Sequence, residues 1–285
     1  MLVSGKEILL HADQNKYAVG AFNINNMEII QAIVGAADEL RSPVILQASQ
    51  GAIKYAGIEY ITALGKLVAD KYDIPVALHL DHGTDFEEIM KCIRYGFSSV
   101  MIDASKYPLE ENIERTKEIV KIAHSVGVSV EAELGKIGGT EDQIVVSEAE
   151  ATFTDPKEAK IFVEETGIDS LAIAVGTAHG VYKGEPKLDF DRIEEINKII
   201  DIPLVLHGSS GVPNDSLRKA VERGICKINI DTDIRATFAT AVGDFIRANP
   251  EEIDPRKILT PARDAMKEIV KKKIEVFGSV NQAWK

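Results

Sequence analysis

The feature that most constrains this chain is an alternation of short aliphatic runs with segments that carry apolar residues at helical spacing. The alternation repeats about eight times along the 285 residues. Aliphatic runs bounded by Pro, Gly or polar residues are typical of strands buried on both faces of a parallel sheet. Eight such strand–helix pairs predict an α/β fold, a (β/α)8 TIM barrel. A doubly wound open sheet is the alternative, but no GxGxxG motif follows the first predicted strand.

The predicted elements divide the chain evenly. The predicted strands cover residues 17–23, 44–48, 76–83, 99–103, 128–134, 170–175, 203–206 and 227–230. The predicted helices cover residues 27–40, 60–72, 85–95, 109–126, 157–166, 191–200, 215–223 and 231–248, with one more at 256–277. We therefore predict a single barrel domain over residues 1–285, in which residues 250–285 form a C-terminal helical extension.

Composition and charge exclude several classes of function. Hydrophobic residues make up 45% of the chain and charged residues 27%, and no apolar run approaches the roughly 20 residues that a membrane span needs. The N-terminus lacks the pattern of a signal peptide, so a cytoplasmic location is the expectation. The net charge of -12 argues against a nucleic-acid partner, since such proteins present a basic surface. We expect neither nucleic acid nor a membrane as a partner.

Three histidines share one local pattern. His82, His179 and His207 each lie where a predicted strand ends, among the polar residues that close its apolar run, and each directly precedes a glycine. The carboxyl ends of barrel strands converge on one mouth, where the active sites of such barrels are built. Three neutral imidazoles around an open fourth position make a catalytic zinc site. The alternative is a chance grouping of histidines at glycine-rich strand ends.

The remaining histidines and both cysteines do not fit this pattern. His11 and His124 lie in helix-like segments and are predicted to be surface or packing residues, whereas His79 lies within a strand and is predicted to be a buried core or supporting group. Cys92 and Cys226 lie in apolar contexts and form no CxxC pair. We predict two buried thiols rather than a disulfide framework.

A second group of residues indicates the kind of substrate. Residues 207–211 read His-Gly-Ser-Ser-Gly and offer backbone N–H groups and two hydroxyls, a setting suited to phosphate. This segment follows the seventh predicted strand, where barrels often bind phosphate. Asn229 and Asp231 share a face at the end of the eighth strand, and Thr232 adds a hydroxyl there. Together with Lys183, these groups support a phosphorylated substrate.

Taken together, the motifs resemble those of the class II, metal-dependent fructose-1,6-bisphosphate aldolases, in the shorter subgroup that also includes tagatose-bisphosphate aldolases. The likeness covers almost the whole chain. It rests on LDHG at 80–83, EAELG at 131–135, GGTED at 138–142, TAHGVYK at 177–183, HGSSG at 207–211 and NIDTD at 229–233. The resemblance implies a lyase of glycolysis and gluconeogenesis that reversibly cleaves fructose 1,6-bisphosphate to dihydroxyacetone phosphate and glyceraldehyde 3-phosphate.

The resemblance also implies a metal centre and the residues that work beside it. The implied ligands of Zn²⁺, or of a similar divalent ion, are His82, His179, His207 and, as an alternative or outer ligand, Glu133. A monovalent cation, Na⁺ or K⁺, is implied near the phosphate loop. The divalent ion would stabilise an enediolate, and Asp81 would be the general acid–base at the C4 hydroxyl. Glu141, on a long segment predicted to be a lid over residues 135–155, would exchange a proton at the dihydroxyacetone carbon.

Thirteen further residues are implied in substrate binding. They are Asn23, Ser49, Gly180, Lys183, Gly208, Ser209, Ser210, Asn229, Asp231, Thr232, Arg235, Asp254 and Arg256. The run from Asn229 to Arg235 matches the pattern of fructose-type members and favours fructose over tagatose 1,6-bisphosphate. The Asp254-Pro255-Arg256 segment resembles one that reaches the substrate from a neighbouring subunit in this family, so a homodimer or homotetramer is expected.

Functions of other classes remain as alternatives. A zinc-dependent barrel hydrolase would use the metal to generate hydroxide, but usually carries a His-x-His pair on its first strand, which this chain lacks. A non-catalytic phosphosugar-binding protein would keep the phosphate loop without needing Asp81. A lysine Schiff base could stabilise the same carbanion, but the metal already fills that role.

Overall fold

The computed structural model of the protein describes residues 1–141, 144–147, 151–182 and 184–284, without the side chains of residues 141, 144 and 145. Within these ranges, the strands are β1 (Val19–Asn23), β2 (Val44–Ser49), β3 (Val76–Gly83), β4 (Ser99–Ile102), β5 (Ser129–Leu134), β6 (Gly138–Glu141), β7 (Ile144–Val146), β8 (Ser170–Ile173), β9 (Ala178–His179), β10 (Leu204–Leu206) and β11 (Ile225–Ile230).

Helices separate most of these strands. Within the same ranges they are α1 (Gly5–Asn15), α2 (Met27–Glu39), α3 (Gln50–Ala56), α4 (Ile58–Lys71), α5 (Phe86–Tyr95), α6 (Leu109–Ser125), α7 (Pro156–Thr166), α8 (Phe190–Ile199), α9 (Asn214–Glu222), α10 (Thr232–Ala248) and α11 (Pro255–Phe277). In the described part of the chain, none of them combines the length and the apolar composition that spanning a bilayer requires.

Eight parallel strands close into a barrel in the order β1-β11-β10-β8-β5-β4-β3-β2. The sheet closes because β1 pairs in parallel with β2 on one side and with β11 on the other. Every residue of β2, β3 and β5 is buried, as expected for strands covered by side chains on one face and by helices on the other. The predicted (β/α)8 barrel is confirmed, and the predicted C-terminal helix is present as α11.

Five of the described elements were not predicted: α1, α3, β6, β7 and β9. Helix α1 begins at the N-cap Ser4, and its apolar residues face the barrel. Helix α3 directly follows β2 and is capped by the Ser49 side chain. The segment predicted as a lid contains strands β6 and β7, which form an antiparallel pair and, with β9, a small three-stranded sheet outside the barrel.

The barrel interior is apolar at its N-terminal end and polar towards its C-terminal end. At the N-terminal end, α1 and the residue Tyr17 pack against Ala21 and Ile45 in an apolar cluster, which closes that end. Towards the C-terminal end the interior is polar and fully buried. Its charged or titratable members include His79, Asp81, Glu131, Glu133, His207 and Lys227. Burying this many polar groups costs free energy unless they are hydrogen-bonded, so their contacts identify the region where function is expected.

Candidate functional site

Three imidazoles converge at the C-terminal mouth of the barrel. The Nε2 atom of His82 lies 3.0 Å from the Nδ1 atom of His207. The ring centroid of His179 lies 5.0 Å from that of His82 and 6.0 Å from that of His207. One ring nitrogen from each residue lies within 4.8 Å of the other two. Three imidazole donors around one point fit a divalent ion that keeps an open coordination position.

Local backbone geometry brings Asp81 and His82 to the same place. Consecutive side chains of a regular strand point to opposite faces, but both of these residues contact groups at the mouth. His82 lies near the end of β3, at a point where the register against β4 shifts between Leu80 and Gly83. Its φ of 48° is unusual for a residue other than glycine and indicates a strained backbone that its surroundings hold.

The prediction that His179 lies at the end of a barrel strand was wrong. The barrel strand β8 ends at Ile173, and His179 belongs to β9, which pairs in parallel with β6 outside the barrel. Glycines allow this packing, since a Cβ on Gly139 would lie 2.2 Å from the His179 carbonyl oxygen. The third imidazole therefore depends on the small sheet for its position, whereas His207 directly follows the barrel strand β10.

Carboxylates orient two of the three imidazoles. The Nδ1 atom of His82 lies 2.9 Å from Oδ2 of Asp103, and the Nε2 atom of His207 lies 2.9 Å from Oε1 of Glu131. An ionised carboxylate only accepts hydrogen bonds, so these nitrogens carry the protons and the opposite nitrogens face the centre as acceptors. Outer partners of this kind fix the tautomer of metal-binding histidines.

The pKa values of these buried groups follow from their contacts. Burial lowers the pKa of His207 to about 4, although its hydrogen bond to Glu131 acts in the opposite direction. Burial raises the pKa of Glu131, but the Lys227 charge and the His207 hydrogen bond together hold it below its usual range. Lys227 contacts both oxygens of Glu131, at 3.0 and 2.9 Å. At neutral pH, His207 is therefore neutral, as a metal ligand must be.

Asp81 is fully buried and is held by amide groups from three other strands. Its Oδ2 accepts hydrogen bonds from the Asn23 side chain at 2.8 Å and from the Gln47 side chain at 3.1 Å. Its Oδ1 accepts one from the Asn229 side chain at 3.3 Å. Gln47 also donates to the amide oxygen of Asn23 at 2.7 Å, which links the two donors. Neutral amide donors on both oxygens suit an ionised carboxylate.

A family model described as "Fructose-bisphosphate aldolase class-II" matches residues 3–282. The chain belongs to the class II fructose-bisphosphate aldolases.

Related proteins match this chain along nearly its whole length and their own. The chain is 48% identical to a protein of Thermus caldophilus named "Fructose-bisphosphate aldolase", over 99% of this chain and 100% of that protein. It is 50% identical to a protein of Bacillus subtilis (strain 168) named "Probable fructose-bisphosphate aldolase", over 99% of each. The crystal structure of the YdjI aldolase from Escherichia coli K12 is similar with a TM-score of 0.89 at 36% identity, and the match covers 100% of each chain.

The class II aldolases are metal-dependent, and the described residues offer two groups that can hold an ion. The first is the histidine triad, and the second consists of His82, Asp103 and Glu133. Glu133 reaches the triad directly, because its Oε2 lies 3.7 Å from the Nδ1 atom of His207. Glu133 thus lies directly beside the imidazoles, where it was predicted to be an alternative or outer ligand.

A cleft opens beside the triad in this aldolase fold. Of the predicted substrate-binding residues, those that line it are Asn23, Gly180, Gly208, Ser209, Ser210, Asn229, Asp231, Thr232 and Arg235, together with His179 and Thr140. The Ser210 hydroxyl accepts hydrogen bonds from the backbone N–H groups of Asp231 and Asp233, at 3.2 and 3.3 Å. The 207–211 loop and the N-terminus of α10 therefore form one wall of the cleft.

Other predicted residues lie elsewhere. Ser49 pairs with Asp81 in the sheet register but is buried, and its hydroxyl caps α3 by accepting a hydrogen bond from the Ala52 N–H at 3.2 Å. Asp254 and Arg256 lie at the N-terminus of α11, where they pair with each other at 2.7 Å, and they do not line the cleft. Lys183 lies outside the described residues, as does the side chain of Glu141.

Asp103, Gln47 and Lys227 were not among the residues that the sequence predicted for the site. Asp103 directly follows β4, so it satisfies the same strand-end rule that identified Asp81. The signal for Gln47 and Lys227 is a polar or charged residue inside an otherwise apolar strand, which is costly unless another buried group bonds to it. The prediction for the other histidines agrees with their positions, since His79 is buried against the Ser99 hydroxyl at 2.8 Å.

Proposed function

We propose that the protein reversibly cleaves fructose 1,6-bisphosphate into dihydroxyacetone phosphate and glyceraldehyde 3-phosphate. The observation that carries the proposal is the convergence of three imidazoles beside a buried carboxylate, at the edge of a cleft lined by serine hydroxyls and glycine backbone. Each part supplies one need of an aldol cleavage: a site for a cation, an acid–base group and a pocket for phosphate. Membership of the class II aldolases supports the same reaction.

His82, His179 and His207 would hold the divalent ion, which we propose to be Zn²⁺ because three imidazoles with an open position suit that ion. When bound there, such an ion supplies Lewis acidity that stabilises negative charge on a substrate oxygen. Asp103 and Glu131 keep two of the rings in the orientation that binding requires. Glu133 is close enough to serve as an alternative ligand.

Asp81 is the proposed general acid–base. In cleavage it takes the proton of the C4 hydroxyl, and in condensation it returns that proton. The amides of Asn23, Gln47 and Asn229 hold its carboxylate at the mouth, so that little reorganisation is needed when substrate binds. Burial beneath bound substrate would exclude competing water from this proton transfer.

A phosphate group is proposed to bind in the cleft between the His207–Gly211 loop and the N-terminus of α10. Backbone N–H groups at a helix N-terminus and the Thr232 hydroxyl are donors suited to that anion, and Ser209 lines the cleft while its hydroxyl donates to the Leu206 carbonyl oxygen at 3.2 Å. Arg235 borders the same cleft and pairs with Asp231 at 3.1 Å. A monovalent cation, Na⁺ or K⁺, is proposed near this loop, where it would offset the phosphate charge.

Three further proposals concern residues that act from the edge of the site. Glu141 ends β6, the strand whose Gly139 pairs with His179, so it is proposed to reach substrate as the proton-exchanging acid. Lys183 is proposed to contact phosphate from the segment after His179. Arg256 is proposed to reach the far phosphate of a neighbouring subunit's substrate, in a homodimer or homotetramer.

A coupled assay tests the proposed reaction. Dihydroxyacetone phosphate should appear when the protein is mixed with fructose 1,6-bisphosphate, should stop appearing after dialysis against EDTA, and should return on addition of Zn²⁺. Release of inorganic phosphate instead of triose phosphate would identify a hydrolase and contradict the proposal. Full activity in excess EDTA after dialysis would contradict the role of the metal.

A further inference from the structure

The Tyr182 hydroxyl connects two backbone segments that each carry a proposed metal ligand. It accepts a hydrogen bond from the backbone N–H of Ala178 at 2.7 Å and donates one to the carbonyl oxygen of Gly208 at 2.7 Å. Ala178 directly precedes His179, and Gly208 directly follows His207. One phenol thus bridges the two ligand-bearing segments through their main chains.

This bridge matters because the barrel does not hold His179. The strand β9 is only two residues long and pairs with β6 of the small sheet, while His207 follows a barrel strand. The β9 segment and the loop after β10 lie in direct contact, since a Cβ on Gly208 would come within 2.6 Å of the Ala178 carbonyl oxygen. The relative position of the two imidazoles is therefore set by a few contacts between these segments. The Tyr182 hydroxyl is bound to Ala178 within its own segment and supplies one of those contacts through Gly208.

The chemistry of the hydroxyl suits this bridge. A phenol offers one donor and can accept at the same time, so it can satisfy an N–H and a C=O that face each other across two segments. Burial raises the pKa of Tyr182, with the Ala178 N–H acting in the opposite direction, so the hydroxyl stays protonated and keeps its donor near neutral pH. A phenylalanine would keep the ring packing and remove both hydrogen bonds.

We propose that Tyr182 is a positioning residue that sets the spacing between His179 and His207 and thereby the metal affinity of the centre. The inference rests on the proposed function, in which these imidazoles hold the ion. Gly180 and Gly208 also line the cleft, so the same bridge sets the width of the proposed phosphate pocket. Tyr182 touches neither metal nor substrate in this role and acts through the backbone of its two partners.

The test compares Tyr182→Phe with a matched control, Tyr17→Phe. Tyr17 is buried at the opposite end of the barrel, and its hydroxyl lies 2.9 Å from Nδ1 of His11. Both variants lose a buried phenol hydrogen bond, so both report the general cost of that loss, but only Tyr182 bridges the ligand segments. The probe is Co²⁺, whose dissociation constant is measured by competition with a chelator and whose visible absorption reports the ligand geometry.

We expect the Co²⁺ dissociation constant of Tyr182→Phe to rise about tenfold, the effect typical of groups that orient metal ligands. Its visible spectrum should change, while both the dissociation constant and the spectrum of Tyr17→Phe should match the wild type. With saturating metal, the KM of Tyr182→Phe for fructose 1,6-bisphosphate should rise about tenfold and kcat should change much less, because the cleft binds substrate less well.

The outcomes separate this inference from the proposed function. Wild-type protein that binds no Co²⁺ would overturn both. Wild-type binding together with unchanged affinity, spectrum and KM in folded Tyr182→Phe would overturn only the role of Tyr182. If Tyr182→Phe does not fold, Gly208→Ala takes its place, since its methyl group would push the same segments apart, and unchanged Co²⁺ binding by that variant would overturn the inference.

Discussion

The Nε2 atom of His82 lies 3.0 Å from the Nδ1 atom of His207, although 125 residues separate them along the chain. Each ring turns its other nitrogen to a carboxylate, Asp103 for His82 and Glu131 for His207. The two facing nitrogens are then both acceptors. Neither can donate a hydrogen bond to the other, so the pairing suits a cation shared between them. The opposed tautomers are thus as informative about the metal centre as the histidines themselves.

Removing Asp103 should weaken metal binding. We expect Asp103→Ala to raise the Zn²⁺ dissociation constant by about 10- to 100-fold, since His82 would lose the partner that fixes its tautomer. The matched control is Asp169→Ala, because Asp169 holds His124 at 2.8 Å at the other end of the barrel. Chelator competition measures both. A folded Asp103→Ala protein that binds Zn²⁺ as tightly as the wild type would contradict the orienting role.

Removing the Asp81 carboxylate should separate catalysis from metal binding. Asp81→Ala should keep its Zn²⁺ and lose aldol cleavage by about 10²-fold or more, because the general acid–base is absent while the imidazoles remain. Metal content and triose phosphate release are measured on the same preparation. A correctly folded variant without metal would instead make Asp81 a ligand.

Lys227 should stabilise the fold because it forms an ion pair with the buried Glu131 carboxylate. Its ammonium group is buried with that carboxylate, so Lys227→Met would leave a buried negative charge without its ion pair and should lower the free energy of unfolding by about 3–5 kcal/mol. The double variant Lys227→Met/Glu131→Gln removes both charges and should recover part of the loss. Urea unfolding measures each. Equal stability of wild type and Lys227→Met would show that the pair contributes little.

The two bisphosphate sugars differ only in configuration at C4, so residues around the cleft must distinguish them. We expect fructose 1,6-bisphosphate to be preferred by about 10²-fold in kcat/KM, since hydrogen-bond discrimination can supply a few kcal/mol. Comparable values for tagatose 1,6-bisphosphate would refute the preference and leave the aldolase reaction intact.

Arg256 should affect KM if it reaches the substrate of a neighbouring subunit, as we propose. Its side chain pairs with Asp254 and is 89% exposed, so it is accessible to a phosphate outside its own subunit. Arg256→Ala should raise KM for fructose 1,6-bisphosphate sharply, while the control Arg218→Ala, which removes an exposed arginine of α9 paired with Asp215, should leave KM unchanged. Steady-state kinetics measure both. Equal KM values would remove Arg256 from the site.

The two thiols should be inert in the native protein. Cys92 and Cys226 are buried, and burial raises the pKa of each to about 12. The reactive thiolate is therefore scarce at pH 8, and a thiol reagent should label neither cysteine in native protein but both after unfolding in urea. Fast labelling of the native protein would show that one of these thiols is accessible.

The sequence alone determined the barrel and predicted several residues of its candidate site. Alternating strand and helix signals reflect local periodicity and burial, which repeat with every βα unit and need no knowledge of distant contacts. Asp81, His82 and His207 were found by the same logic, because strand ends of a barrel share one mouth whatever the details of packing. The serine and glycine residues of the 207–211 segment followed from their position after the seventh strand.

Tertiary structure decided the rest. The small sheet that holds His179, the Asp103 and Glu131 carboxylates that orient two imidazoles, and the Tyr182 bridge all join residues that are far apart in sequence. No local period encodes such a pairing, since it depends on which strands become neighbours and on how closely glycines let two segments approach. A lysine or glutamine in a buried strand indicates only that it has a polar partner. The closed barrel determines which partner, so that Lys227 contacts Glu131 and Gln47 contacts Asp81.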